Sequence, residues 1–312
     1  MEKDFWVWLV LRELFALPKY GDHLTFRGGT SLSKAWGLID RFSEDIDLTV
    51  DRGILGFGGD QGPEGAKSRK EQQRRIERLK LACREMIATQ IAPALNARLR
   101  ELLASNESWS LSADDDDPDR QTLLFAYPRL VAEAAPSYVT PVVKLEFGAR
   151  ADPWPVEPRT VISIVAEVFP ALMETPACTV RALRPERTFW EKVMLLHEET
   201  FRPQSETRRP RMARHYYDVW RLIKAGVAGD AAADLALFEQ VAAHRKVYFR
   251  YGWVKYDTMK RGSIRVVPQP DQLAEWRRDY AAMQGEMFVG SPPSFDELLA
   301  VINVFQEEFN SA

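Results

Sequence analysis

Two short apolar runs on either side of a glycine turn constrain this chain more than any other feature. Leu24 to Arg27 reads as a short strand that stops at Gly28 and Gly29. Paired glycines allow a tight turn and leave backbone N–H groups uncovered by side chains. Thr30 and Ser31 then suit a helix start, with the helix expected to run to about Leu38. Residues Asp45 to Val50 alternate as a strand does. Ile46, Leu48 and Val50 share one face, and Asp45, Asp47 and Thr49 share the other. One face of such a unit must be buried, which leaves the aspartates on the opposite side.

The residue types point to phosphate and metal chemistry. A helix start beside a bare glycine turn favours an anion. Lys34 lies one turn further on, within expected reach of a phosphate. Two carboxylates on one strand face repel unless a cation lies between them. Asp45 and Asp47 therefore suit Mg²⁺, or Mn²⁺, which takes a carboxylate pair plus substrate phosphates. Plainer readings exist for each part alone. Gly-Gly-Thr-Ser is a common turn, and Asp-x-Asp is often the wet face of a half-buried strand. Their conjunction within about twenty residues favours a site for nucleoside triphosphates.

Composition narrows the classes. The 312 residues are 46% hydrophobic and 28% charged, a balance that supports a real core. A net charge of -3, from 42 basic and 45 acidic side chains, excludes a uniformly basic nucleic-acid binder but allows a local basic surface. Two cysteines, Cys83 and Cys178, exclude a disulfide scaffold and a four-cysteine zinc site. Four histidines are too few for a His-rich metal centre. The opening stretch reads as an amphipathic helix through Phe5, Trp8, Leu9, Leu11, Phe15 and Leu17, with no cleavage site after it. No run reaches the ~20 apolar residues of a membrane span, so a cytoplasmic protein is expected.

Further along, 53–65 reads as a glycine-rich loop and 67–105 as one long helix that Pro93 kinks or splits. The acidic run Asp114 to Asp119 reads as a charged turn or loop, most simply a solvated loop before a strand. Extended segments are expected at 121–127, 138–147 and 160–168. Helices are expected at 185–200, 213–225, 230–244, 272–287 and 294–310. The order predicts an α+β domain followed by a helical one, with a boundary after residue 170.

The segments Gly28–Lys34 (GGTSLSK) and Arg41–Leu48 (RFSEDIDL) resemble the glycine–hydroxyl turn and Asp-x-Asp of the polymerase-β nucleotidyltransferase superfamily. More narrowly they resemble the AbiEii/AbiGii nucleotidyltransferase toxin family, which includes MenT-type toxins. Three later segments fit the same family: Val143–Arg150 (VKLEFGAR), Thr188–His197 (TFWEKVMLLH) and Arg214–Leu222 (RHYYDVWRL). Beyond residue 222 the likeness is loose, through Trp276, Tyr280 and Met283. The resemblance implies a polymerase-β-like core with a mixed sheet over 1–170, and a mostly helical C-terminal lobe over 171–312 that completes the active site. It implies a Mg²⁺-dependent transfer of NMP from an NTP to an RNA acceptor, the tRNA 3′ end, which blocks translation. It also implies a type IV-like toxin–antitoxin system, a role in phage defence, and a cognate AbiEi-like antitoxin. Asp45 and Asp47 become the metal ligands. Gly28, Gly29, Thr30, Ser31, Lys34, Arg41, Ser43 and Arg214 surround the nucleotide. Glu146 becomes a third acidic group, Lys192 the lysine that neutralises the triphosphate, and Asp218 the closing-helix aspartate.

The residues carry readings of their own. Glu146 shares a strand face with Lys144 and would bind a second metal, accept a proton, or serve as plain surface. Lys192 lies beside the stripe of Phe189, Val193 and Leu196, where a lysine can simply snorkel. Asp218 would pair with Lys192 or contact the nucleotide, with Arg214 and His215 one turn earlier. His197 reads as structural. Segment 244–265 carries seven Lys/Arg and one acid, Asp257, interleaved with Tyr248, Phe249, Tyr251, Trp253 and Tyr256. That mixture suits either a nucleic-acid surface or a helix end packed in the core. Arg208, Arg209, Arg211 and Arg214 form a second basic group. Rival readings are a small-molecule nucleotidyltransferase of the aminoglycoside-modifying type, a nucleotide sensor and a nuclease.

Overall fold

The computed structural model describes residues 2–43, 45–103, 108–129, 141–288 and 290–312. Glu44, Ser105 and residues 138–140, named in the readings above, lie outside them. The chain forms two compact units. One joins Met1–Trp36 to Glu44–Leu183, and the other joins Gly37–Ser43 to Arg184–Ala312. The division thus follows Leu183, not residue 170.

The first unit opens with α1 (Glu2–Phe15), which is buried nearly all round, not along one stripe: Trp6 through Leu11 and Leu14 are all in the core. A helix apolar on every side is an interior helix. Then come β1 (Leu24–Arg27), α2 (Gly28–Lys34) and β2 (Ile46–Val50). α2 is shorter than expected. Thr30 and Ser31 lie inside its first turn, Arg27 is the N-cap, and Gly37 turns the chain out at φ +63°.

The expected long helix is α3 (Arg69–Met86) and α4 (Ala92–Leu102), joined by a π-turn at Ile87–Ile91. Pro93 stands just after that turn, at the start of α4, where its missing N–H costs least. β3 (Ser110–Ala113), β4 (Thr122–Ala126) and β5 (Val142–Gly148) follow. β6 (Val156–Ile162) begins earlier than expected, and residues 164–168 are helical instead: α5 (Ile164–Val168) starts where Ser163 accepts a hydrogen bond from the Ala166 N–H. β7 (Ala177–Leu183) was not anticipated. Its buried Cys178, Val180 and Ala182 alternate with Thr179 and Arg181.

Among the described residues the strands form one mixed sheet in the order β3-β4-β5-β2-β1-β7-β6. β1 and β2 are antiparallel, with Phe26 opposite Leu48 and Arg27 opposite Asp47. β2 and β5 are parallel, with Ile46 opposite Leu145 and Asp47 opposite Glu146. This register puts Phe26, Ile46, Leu48, Leu145 and Phe147 on one apolar face. That face also carries Phe125, against which Trp6 of α1 packs edge-on at 5.9 Å. A slip of one residue would reverse every side chain, so burial of this face fixes which side the acids take.

The second unit is helical: α6 (Pro185–Glu199), α7 (Arg214–Lys224), α8 (Val227–Ala233), α9 (Leu235–Tyr248), α10 (Leu273–Met287) and α11 (Phe295–Ser311). The helix expected over 230–244 is broken at Asp234, whose carboxylate caps α9 through the Leu237 N–H. Trp190, Phe238, Phe305 and Phe309 form its aromatic core.

The acidic run takes the turn form of the two expected, with Asp115 and Asp116 exposed and Asp117 held by a local network. Asp117 accepts from Asp119 N at 3.0 Å, Gln121 N at 2.8 Å and Thr122 Oγ1 at 2.8 Å. Burial works against its charge, but these donors outweigh it and hold the carboxyl below its ordinary range. Asp117→Ala should therefore lower the unfolding free energy by about 2 kcal/mol, measured by urea titration. A change within experimental error would mean that the turn holds without it.

Candidate active site

In the first unit, the sheet face opposite α1 carries a polar row across four strands. Arg27 lies opposite Asp47, Asp47 opposite Glu146, and Glu146 opposite Thr122. Cross-strand partners point to the same side, and neighbouring strands run about 4.8 Å apart. Two carboxylates, Asp47 and Glu146, thus stand side by side, which is unfavourable without a compensating cation. Lys144 supplies part of that compensation, with Nζ 3.2 Å from Glu146 and 3.4 Å from Asp114. Burial opposes its charge, but the two acids outweigh it and raise its pKa. Arg27 and Thr122 were not singled out from the sequence. Arg27 stands next to the glycine turn, and the strand pairing alone reveals its place.

The glycine turn meets the acid row directly. Gly28 has φ +76°, and a Cβ there would lie 2.0 Å from Asp47 Oδ2. The position excludes other residues twice, by conformation and by this approach. Thr30 turns its hydroxyl away from the helix start and donates to the Asp45 carbonyl at 2.5 Å, tying α2 to the head of β2. Ser31 Oγ is buried with no hydrogen-bond partner among the described residues. Gly29 is buried beside them. Lys34 faces elsewhere. Its ammonium is held by Asp4, whose other oxygen accepts the Ile164 N–H at 2.8 Å. Lys34 is therefore a link among α1, α2 and α5.

Among the described residues no three Asp, Glu, His or Cys side chains converge into a ready-made metal cage. Mg²⁺ held by fewer carboxylates draws its remaining oxygen ligands from water and substrate phosphates.

The second unit holds Lys192, Asp218, Arg41, Ser43 and Arg214. Asp218 is fully buried and accepts from three donors: Arg41 Nε at 2.6 Å, Arg41 Nη2 at 2.7 Å and Lys192 Nζ at 2.9 Å. Burial pushes its pKa up, but Arg41 and Lys192 prevail and hold it far below the carboxylate range. Lys192 is 7% exposed, so it does not snorkel. Its pKa is lowered, first by burial, with Asp218 opposing and Arg41 and Arg214 adding to the shift. His215 Nδ1 lies 3.4 Å from Lys192 Nζ. Its pKa falls well below the imidazole value through burial, then Lys192 and Arg214, so the ring is neutral and accepts. The guanidinium of Arg214 has no partner among the described residues. Two cations thus hold one carboxylate while the charge of Arg214 acts on Lys192 and His215, an excess that favours an added anion. Ser43 follows Phe42, whose N–H donates to the Met287 carbonyl at 2.6 Å.

Other polar residues are structural. His197 Nδ1 accepts the Arg265 N–H at 2.9 Å, so Nε2 carries the proton toward Thr258 Oγ1 at 3.0 Å. Burial pushes its pKa down to about 4. Arg208 is buried, 3.0 Å from Glu199 and stacked 4.0 Å over Trp276, which removes it from the second basic group. Arg245 likewise faces Glu198 in the core.

The family model for the nucleotidyl transferase AbiEii toxin, type IV toxin–antitoxin system, matches residues 9–301. No curated protein matches the chain. Among solved structures, the chain resembles MenT4, a nucleotidyltransferase toxin of Mycobacterium tuberculosis H37Rv, at 16% identity and a TM-score of 0.43, over 99% of this chain and 90% of that one. It also resembles JHP933 from Helicobacter pylori at 13% identity and a TM-score of 0.42, over 99% and 90% of the two chains.

The Asp218 cluster generates an ordered prediction. Asp218→Ala strands two buried cations and should cost about 3–5 kcal/mol of stability in urea unfolding. Lys192→Met leaves Asp218 with both Arg41 bonds and should cost less than half as much. A reversed order would show that Lys192, not Asp218, anchors the cluster.

Proposed function

The chain belongs to the AbiEii nucleotidyltransferase toxin family of type IV toxin–antitoxin systems, and we propose that it transfers a nucleoside monophosphate from an NTP to an RNA acceptor. The tRNA 3′ end is the acceptor in this reading, and its blockage stops translation. The family implies a cognate antitoxin as a partner. Among the described residues no helix is long and apolar enough to cross a membrane.

The observation that carries the reading is the approach of Asp47 to Gly28, with Glu146 beside it in the row. In this reading Asp45 and Asp47 hold Mg²⁺, or Mn²⁺ in its place. The Asp47 and Glu146 carboxylates, paired across β2 and β5 with Asp45 just before β2, fit a hard divalent ion that shares its shell with phosphates. When bound, such an ion neutralises charge on the transferring phosphoryl group and fixes its orientation. Gly28 leaves the space that the Asp47 carboxylate fills. The first-turn N–H groups of α2 have no partner within the helix, which suits them to phosphate oxygens. Thr30 holds the start of β2 and so positions Asp45. Glu146, paired with Lys144, is the carboxylate available to the attacking hydroxyl. Attack on the α-phosphorus forms the new P–O bond and releases pyrophosphate. Little covalent chemistry falls to the protein, so positioning and charge supply the rate.

Incubation with each α-labelled NTP and total RNA tests this reading. Label should appear on RNA. Asp45→Ala and Asp47→Ala should each abolish incorporation, a loss of several kcal/mol of transition-state stabilisation, with the circular dichroism spectrum unchanged. Label on a small molecule, or full transfer by either variant, contradicts it.

A further inference from the structure

Within segment 244–265, one stretch is not packed away. Tyr251 and Trp253 stack on each other at 4.8 Å between ring centroids, with planes 17° apart. Tyr251 stays 43% exposed although one of its faces meets Trp253. The stack is held in place from below. Tyr256 Oη accepts the Tyr251 N–H at 3.0 Å and donates to the Phe249 carbonyl at 2.9 Å, so one hydroxyl pins both ends of the turn. Val254 is buried and anchors the same loop. The Arg202 guanidinium lies 5.1 Å over the Trp253 ring and is itself fixed by two bonds to Glu199.

The segment that carries this stack is predominantly basic, although Glu199 pairs with Arg202 beside it. Lys246, Arg250, Lys255 and Lys260 are exposed, and Asp257 is the one acid between residues 244 and 265. In a chain of net charge -3 this is a local excess of positive charge. An exposed tyrosine ring backed by a half-buried tryptophan and flanked by lysine and arginine meets the two needs of a single strand: a flat surface for a base and cations for its phosphates. A protein partner would be served by an apolar patch without this charge bias. A duplex hides its base faces and gains nothing from the rings.

We propose that the Tyr251–Trp253 stack is a base-stacking platform for single-stranded RNA. The proposal rests on the reading that the acceptor is RNA and assigns a place on the helical unit where that strand binds. Tyr251 supplies the open ring face, Trp253 and Arg202 stiffen it, and Arg250 and Lys255 meet the flanking phosphates.

The test is fluorescence anisotropy of a short fluorescein-labelled oligoadenylate with the full chain, with neither NTP nor metal added. Tyr251→Leu should weaken binding about tenfold, as loss of one base–aromatic stack does, while Tyr251→Phe should stay within about twofold of wild type. The exposed side chain predicts an unchanged melting temperature for both. The salt slope should be the same in Tyr251→Leu as in wild type, whereas Lys255→Gln should lower it by roughly 0.7. Equal binding by Tyr251→Leu and wild type overturns the platform. So does equal affinity for a duplex of the same length, or a wild-type chain that binds no oligonucleotide. Because binding is read without transfer, Tyr251-dependent binding in a chain that labels no RNA would count against the transfer reading alone. Normal transfer with Tyr251-independent binding would count against the platform alone.

Discussion

The contact between the Asp47 carboxylate and the backbone of Gly28 sets the terms for the rest of the first unit. The 2.0 Å that separates a hypothetical Cβ from Asp47 Oδ2 means that no side chain can exist at residue 28 while Asp47 keeps its place. Asp47 in turn keeps its place because Ile46 and Leu48 on either side of it are buried in the apolar face. α1 covers that face and is itself interior. Burying hydrophobic surface on one side of the sheet thus presents a row of charge on the other. The energy that fixes the register is apolar burial, and the chemistry lies on the side that burial leaves over.

The second unit solves a different electrostatic problem. Asp218 is a fully buried anion, which is costly unless it is paired and hydrogen-bonded. Arg41 answers with two parallel bonds, a geometry a lysine cannot supply. Arg41 reaches the cluster because Gly37–Ser43 belongs to the helical unit although the chain on both sides of it belongs to the other. Lys192 then adds a second cation, with a pKa lowered by burial. The result carries more positive charge than Asp218 balances.

Much of this was legible in the sequence. The alternation at Asp45 to Val50, the glycine turn and the helices from Pro185 onward follow from periodicity and turn chemistry acting over a few residues. What stayed hidden depends on partners distant in the chain. α1 was read as one-sided because periodicity cannot show how many neighbours a helix will have. β7 was missed because an alternating Cys178, Val180 and Ala182 is short and weakly apolar, and only pairing with β1 and β6 makes it a strand. Lys34 was expected to meet phosphate because spacing along α2 says nothing of Asp4, thirty residues earlier. The bond of Arg41 to Asp218 spans 177 residues, beyond the reach of any local pattern. The acidic run at Asp114 to Asp119 shows the converse: a local network of N–H donors orders a segment whose charge suggests solvent.

Manganese binding followed by electron paramagnetic resonance tests the central contact most directly. Wild-type protein should bind Mn²⁺ weakly alone and more tightly with an NTP, since the donor set needs phosphates to complete the shell. Gly28→Ala should displace the Asp47 carboxylate and abolish the NTP-dependent gain, with a fold that survives, and Asp47→Asn should do the same. Mn²⁺ binding that is equal in wild type, Gly28→Ala and Asp47→Asn would show that the acid row holds no metal, and the account of this face would fail.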